Sequence, residues 1–255
     1  MSALKNIGLL VITGLSSQVF AAEFSFDRPG TGFSTGTTPV GHLAWEQALP
    51  SVHYKKSTAG SESTETTTIT TDMLLRTGLT QNLELRLGWQ GPGWSRTTTA
   101  GHTNKEHGLG DVSIGLKQAI DLNDDRLSMA VLAEAQIATG NQNFTNHDDI
   151  YTLGSSVSYK YSPDLTTAIT MLYQHEGDKL AITAIPNIGY KLTDKWSGYS
   201  EFVYRKAEST DVEYSLGSGV IYAPTQRIQF DASIGVDLNG SADSYNAGLG
   251  VSYLF

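Results

Sequence analysis

Charged side chains in this chain recur at every second position, as in Glu84-Leu85-Arg86 and, two steps apart, Glu201 and Arg205. Such spacing puts both signs on one face of an extended segment. The chemistry open to that face is a polar wall whose field selects solutes, or a set of internal ion pairs that fills a lumen. The residues in these positions are Glu46, Asp72, Arg76, Glu84, Arg86, Asp111 and Lys117. In the second half of the chain they are Glu134, Lys160, Lys191, Glu201, Arg205, Glu213 and Asp231.

Catalytic arrangements are absent from the sequence. None of the six histidines has a serine two residues on, and there is no Asp-x-His pair. His102 and His107 share a segment but match no zinc-ligand spacing. His147-Asp148-Asp149 reads as a solvated loop rim. Gly30-Thr31-Gly32 precedes no helix and is not a phosphate loop. No catalytic residue, metal or cofactor is assigned.

The elements that must carry the charged positions are strands. Tyr245, Ala247, Leu249, Val251, Tyr253 and Phe255 alternate with Ser244, Asn246, Gly248, Gly250 and Ser252. The same period of two runs through 228–238, 211–223, 195–206, 179–192, 165–175, 150–161, 126–138, 108–120, 82–90, 67–78 and 42–54. The segment 195–206 is the least regular, because Tyr199 and Val203 share a face with Glu201 and Arg205.

Short turns such as Ser162-Pro163-Asp164 and Thr193-Asp194-Lys195 alternate with longer connections at 55–66, 91–107 and 139–149. Tyrosine and tryptophan collect near both ends of the segments, Trp89, Tyr151 and Tyr245 at one level and Trp45, Tyr190 and Tyr253 at the other. A sheet in lipid must close on itself, because unpaired backbone groups cannot be left there. The expected fold is therefore all-β, a transmembrane antiparallel up-and-down barrel of about 12 strands over residues 42–255, of the bacterial outer-membrane type. Only 39% of residues are hydrophobic and the mean hydropathy is −0.21, as expected when apolar side chains occupy alternate positions.

Residues 1–21 read as an export signal, with Lys5 ahead of the apolar run Ile7 to Leu15 and small residues before a cut after Ala21. Residues 22–41 then form a periplasmic extension that either dangles or folds into the lumen as a plug, with Asp27 and Arg28 placed to meet lumen charges. The chain has no cysteine, and its net charge of −9 with no basic patch argues against nucleic acid as a partner. The expected partners are outer-membrane lipid, the outer-membrane assembly machinery through the terminal Phe255, and a small-molecule solute.

Two stretches carry a family resemblance. Phe26-Asp27-Arg28-Pro29-Gly30 followed by Val40-Gly41-His42-Leu43-Ala44-Trp45-Glu46, and Gly108-Leu109-Gly110-Asp111-Val112-Ser113-Ile114-Gly115-Leu116-Lys117, resemble the outer-membrane family labelled meta-pathway of phenol degradation. The resemblance implies an outer-membrane barrel with a role in uptake of aromatic or other apolar compounds.

The leading expectation is thus an outer-membrane channel or transporter for a small solute, entered between 91–107 and 139–149, where Trp94 and Phe144 would form an apolar mouth. Two rivals stay open: a structural or adhesive barrel without flux, and a lipid-modifying barrel enzyme.

Overall fold

The computed structural model describes residues 24–59, 62–239 and 242–255; the expected signal segment lies outside them. Twelve strands close into an antiparallel barrel. In order around the wall they are β1 (Leu43–Ala59), β3 (Met73–Gly78), β4 (Leu83–Trp89), β7 (Val112–Ile120), β8 (Leu127–Ile137) and β9 (Ile150–Ser162). Then come β10 (Leu165–Glu176), β11 (Lys179–Lys191), β12 (Trp196–Ala207), β13 (Val212–Thr225), β14 (Ile228–Asp237) and β15 (Ala242–Leu254). The β1–β15 ladder, from Ala44↔Leu254 to Ser57↔Ala242, closes the seam.

Alternation sorts the side chains as the sequence leads one to expect. Leu153, Ile234 and Leu249 stand outward, 64%, 68% and 54% exposed, where a bilayer would cover them. Inward on the same strands sit Gly154, Gly235 and Gly248, and elsewhere around the lumen the buried charges of Glu46, Arg76, Glu84 and Lys117. Outward aromatic rings stack at the two ends of the wall. Tyr54 lies on Tyr245 at the loop end, and Trp196 lies against Tyr222 at the turn end.

The expected loops over 55–66 and 91–107 are largely strand. β1 continues to Ala59 and pairs with β2 (Glu62–Thr70); β2 pairs with β5 (Pro92–Thr99), and β5 with β6 (His102–Leu109). Together they form a sheet that rises beyond the closed wall, with β6 at its free edge. Polar residues occupy both faces of these segments over most of their length, so the apolar alternation that marks a wall strand is missing. Threonine hydroxyls bridge the rungs instead, Thr64 to Thr99 at 3.0 Å and Thr66 to Thr97 at 3.2 Å.

The wall breaks at Thr71-Asp72, where β2 ends and β3 begins. The β3–β4 and β2–β5 registers there differ by one residue. Gly91 supplies the kink on the facing strand with φ of 70°, a conformation that disfavours any residue with a Cβ. Outside the barrel, Gln47 donates to the carbonyls of Thr71 (2.8 Å) and Asp72 (3.1 Å), the latter also accepting from the Ala48 N–H at 2.9 Å.

Candidate functional site in the barrel lumen

Residues 24–38 run through the barrel interior, and the inward charges of the wall converge on them. Arg76 (β3) and Arg86 (β4) are direct partners in the ladder, so two guanidiniums face the lumen side by side. Glu84 lies two residues from Arg86 and opposite Lys117 of β7, while Glu46 comes from β1. Asp27 of the inserted segment completes the group. Its Oδ2 is 2.6 Å from Arg86, and its Oδ1 is 3.4 Å from Arg76 and 3.7 Å from Lys117. Arg76 also reaches Glu46 at 2.8 Å and Glu84 at 2.9 Å; Lys117 reaches Glu84 at 3.1 Å.

Three cations thus meet three carboxylates with essentially no exposure to water. Burial raises the Asp27 carboxyl, but Arg76, Lys117 and Arg86, with the Ser34 hydroxyl, outweigh it and hold the group well below the ordinary aspartate range. The Phe24 ring packs over the Arg76 guanidinium at 5.2 Å.

The backbone of the segment is tied down as well. Glu46 accepts from the N–H groups of Asp27 (2.9 Å) and Arg28 (2.8 Å), and Glu84 from that of Thr38 (2.7 Å). Arg28 reaches across to Asp72 and Asp231, each at 3.3 Å, and to the Leu249 carbonyl at 3.2 Å. On the far wall, Glu201 accepts from the Thr31 N–H and, at 2.6 Å, from its hydroxyl. Tyr199 donates to the Pro29 carbonyl at 3.2 Å. Phe33 packs on Ala130, Leu132 and Leu172, beside Gly154.

Other candidate residues lie elsewhere. Glu134 touches the cluster only at its edge, 3.8 Å from Arg86. Lys160 is exposed near the turn end, and Lys191 pairs there with Asp194 at 2.8 Å. Arg205 and Glu213 pair at 3.0 Å in an open basin at the loop end.

Asp111 anchors a loop. Its carboxylate accepts from the N–H groups of Gly140 (2.8 Å) and Asn146 (3.0 Å). Burial raises this carboxyl too, but those bonds together with Thr145 and Gln136 lower it overall. The loop so held brings Phe144 onto Gly93 and Gly108, where a Cβ would stand 2.6 and 2.7 Å from the ring. Trp94 and Phe144 both line the resulting cavity of about 520 Å³.

Thr31, Phe33, Thr38 and Tyr199 are not among the candidate site residues that the sequence offers. The misplaced apolar face of 195–206 was the available signal. Tyr199 points inward because the inserted segment gives its ring and hydroxyl a partner.

Spaces remain inside the barrel among the described residues. One, of about 220 Å³, lies between the segment and the wall, against Phe26, Phe33, Thr170, Ile185, Tyr199 and Glu201. Another is the loop-end basin of about 710 Å³, against Lys55, Arg205, Glu213, Asp237 and Ser244.

The family model described as "Putative MetA-pathway of phenol degradation" matches residues 26–255, which takes in the inserted segment as well as the barrel. The chain belongs to this family. Among solved structures, it is similar to the COG4313 outer membrane channel from Pseudomonas putida F1, with 13% identity, a TM-score of 0.63, and coverage of 89% of this chain and 99% of that one. The translocator domain of the autotransporter NalP from Neisseria meningitidis follows, with 12% identity, a TM-score of 0.56, and coverage of 89% and 90%. The KdgM porin in complex with disordered oligogalacturonate gives 13% identity, a TM-score of 0.51, and coverage of 80% and 98%. A comparison with curated proteins finds no sequence match. The fold is that of outer-membrane channels and porins, and the outward apolar band with its aromatic ends is the surface such a location requires.

Proposed function

We propose that this protein is an outer-membrane channel for small solutes, with the lumen as the path and residues 24–38 as a plug across it. The observation that carries the reading is the segment's position. It lies between an internal cavity and an open loop-end basin, in a barrel whose inward face carries the wall's buried charges beside a smaller apolar surface. Twelve strands lie between the small barrels that side chains fill and the large ones that stay open, so a separate segment can decide between the two states.

Small apolar or aromatic compounds are the favoured solutes. Phe26, Phe33, Ile185 and Tyr199 offer ring and aliphatic surface, while Thr170 and Glu201 offer hydrogen-bonding partners. The family description, which refers to phenol degradation, supports the same class. No residue is assigned a catalytic role.

A structural barrel without flux is the second reading, favoured by the number of hydrogen bonds and ion pairs that tie the segment to the wall. Planar-bilayer conductance of the full chain, beside a chain lacking residues 24–38, separates the two. A channel gives larger or more frequent openings after deletion. Absence of conductance from both proteins removes the channel reading.

A further inference from the structure

The projecting sheet carries a second pair of opposed cations. Arg96 of β5 and Lys105 of β6 are direct ladder partners, on one face, and both are exposed. Like charges in this position repel and destabilise a strand pair. Inside the barrel the same arrangement, Arg76 opposite Arg86, is resolved by Asp27 between them. Among the described residues, no carboxylate forms an ion pair with Arg96 or Lys105. Glu65, on the same face, is already paired with Lys56 at 3.0 Å.

The surroundings define what the missing anion is attached to. The rung containing Arg96 and Lys105 continues through Thr67 to Tyr54, which stacks on Tyr245 of the loop-end aromatic girdle. Two rungs nearer the wall, on the same face, Trp94 is paired with His107, and Trp94 and Leu109 are about half exposed. The face is therefore apolar toward the bilayer and cationic just beyond it. Short turns face the periplasm in barrels of this type, so the projecting sheet lies on the outer side.

The rest of that rim is more acidic than basic: Asp148, Asp149, Glu176, Asp178, Glu208, Asp211 and Asp243 outnumber Lys55, Lys56, Lys179 and Lys206. A negatively charged lipid surface is disfavoured there and favoured at the unpaired cations of this hairpin.

We infer that the outward face of the β5–β6 hairpin, through Arg96 and Lys105 above Trp94, binds the phosphate groups of a phosphorylated glycolipid in the outer leaflet. The apolar base packs on its acyl and sugar portions, and the two cations share its phosphate. A phosphate suits this pair because an oxyanion can accept from a guanidinium and an ammonium at once. The inference does not depend on flux through the lumen.

The test uses the full chain folded in detergent, with rough-type lipopolysaccharide as probe and binding measured by thermophoresis at two salt concentrations. The wild-type protein is expected to bind in a salt-sensitive manner. The Arg96→Thr/Lys105→Thr double variant, which keeps strand-compatible residues, is expected to bind at least about tenfold more weakly. Dephosphorylated lipopolysaccharide should bind the wild type as weakly. Unchanged heat-modifiable mobility on gels verifies that the variant barrel is folded. If it is not, each single threonine variant, read separately, must lose several-fold.

Equal binding by variant and wild type overturns the inference, as does equal binding of the dephosphorylated probe. Complete displacement by millimolar inorganic phosphate would mark a free-anion site instead. Loss of a dimer in the variant with glycolipid binding unchanged would mark the patch as a contact with the acidic rim of a second copy.

Discussion

Arg76 and Arg86 stand opposite each other on neighbouring wall strands, and one carboxylate from outside the wall, that of Asp27, holds both. The wall alone therefore carries more positive than negative charge at this level. Docking of residues 24–38 is what neutralises it.

Asp27→Asn leaves the two guanidiniums buried with one fewer carboxylate. Breaking a buried pair by removing one partner costs about 3–5 kcal/mol. The expected result is a barrel that still migrates as folded, with residues 24–38 newly open to protease and more frequent large conductance steps. Wild-type protection of the segment in this variant would show that Asp27 does not hold it.

Acid should release the segment late. The folded pKa of Asp27 lies below the unfolded value of about 3.9, so its contribution is fully present above that value. The contribution is lost as pH falls through the depressed folded value. Conductance recorded between pH 7 and pH 3 should stay constant down to about pH 4 and rise only below it. A rise centred between pH 5 and 6 would assign the control to another group.

Phe33→Ala removes the ring seated on Ala130, Leu132 and Leu172. Truncation of a buried phenylalanine costs about 3–5 kcal/mol. Here the loss falls on docking of the segment. Hydrogen exchange should quicken over residues 24–38 and stay unchanged in the wall strands.

Ile185→Trp adds bulk to the 220 Å³ cavity from the wall side. Phenol entry into proteoliposomes should fall several-fold, while protease protection of residues 24–38 is retained. Undiminished entry would place the solute path outside this cavity.

Asp111→Ala strips the acceptor from the Gly140 and Asn146 N–H groups. Each buried donor left unpaired costs about 1–3 kcal/mol. The 139–149 loop should become protease-sensitive, and Phe144 should leave Gly93 and Gly108.

The twelve wall strands are legible in the sequence because lipid and lumen impose opposite demands on alternate residues. The projecting strands are not, because polar residues on both faces leave no alternation to read; residues 55–66 and 91–107 accordingly read as loops. The irregular 195–206 segment had its explanation far away in sequence, Tyr199 pointing inward to meet Pro29. The lumen charges could be named from spacing alone. Which of them would meet could not, since Arg28 joins residues 44 and 203 positions distant and the rungs set their heights only after closure.

Arg28 holds Asp72 and Asp231 and also the Leu249 carbonyl, while its own N–H is bound by Glu46. These partners belong to both sides of the β1–β15 seam. No half-built sheet presents them together, so the full set of Arg28 contacts exists only once the first and last strands have joined. Full protection of the segment from protease is therefore a readout of a closed molecule.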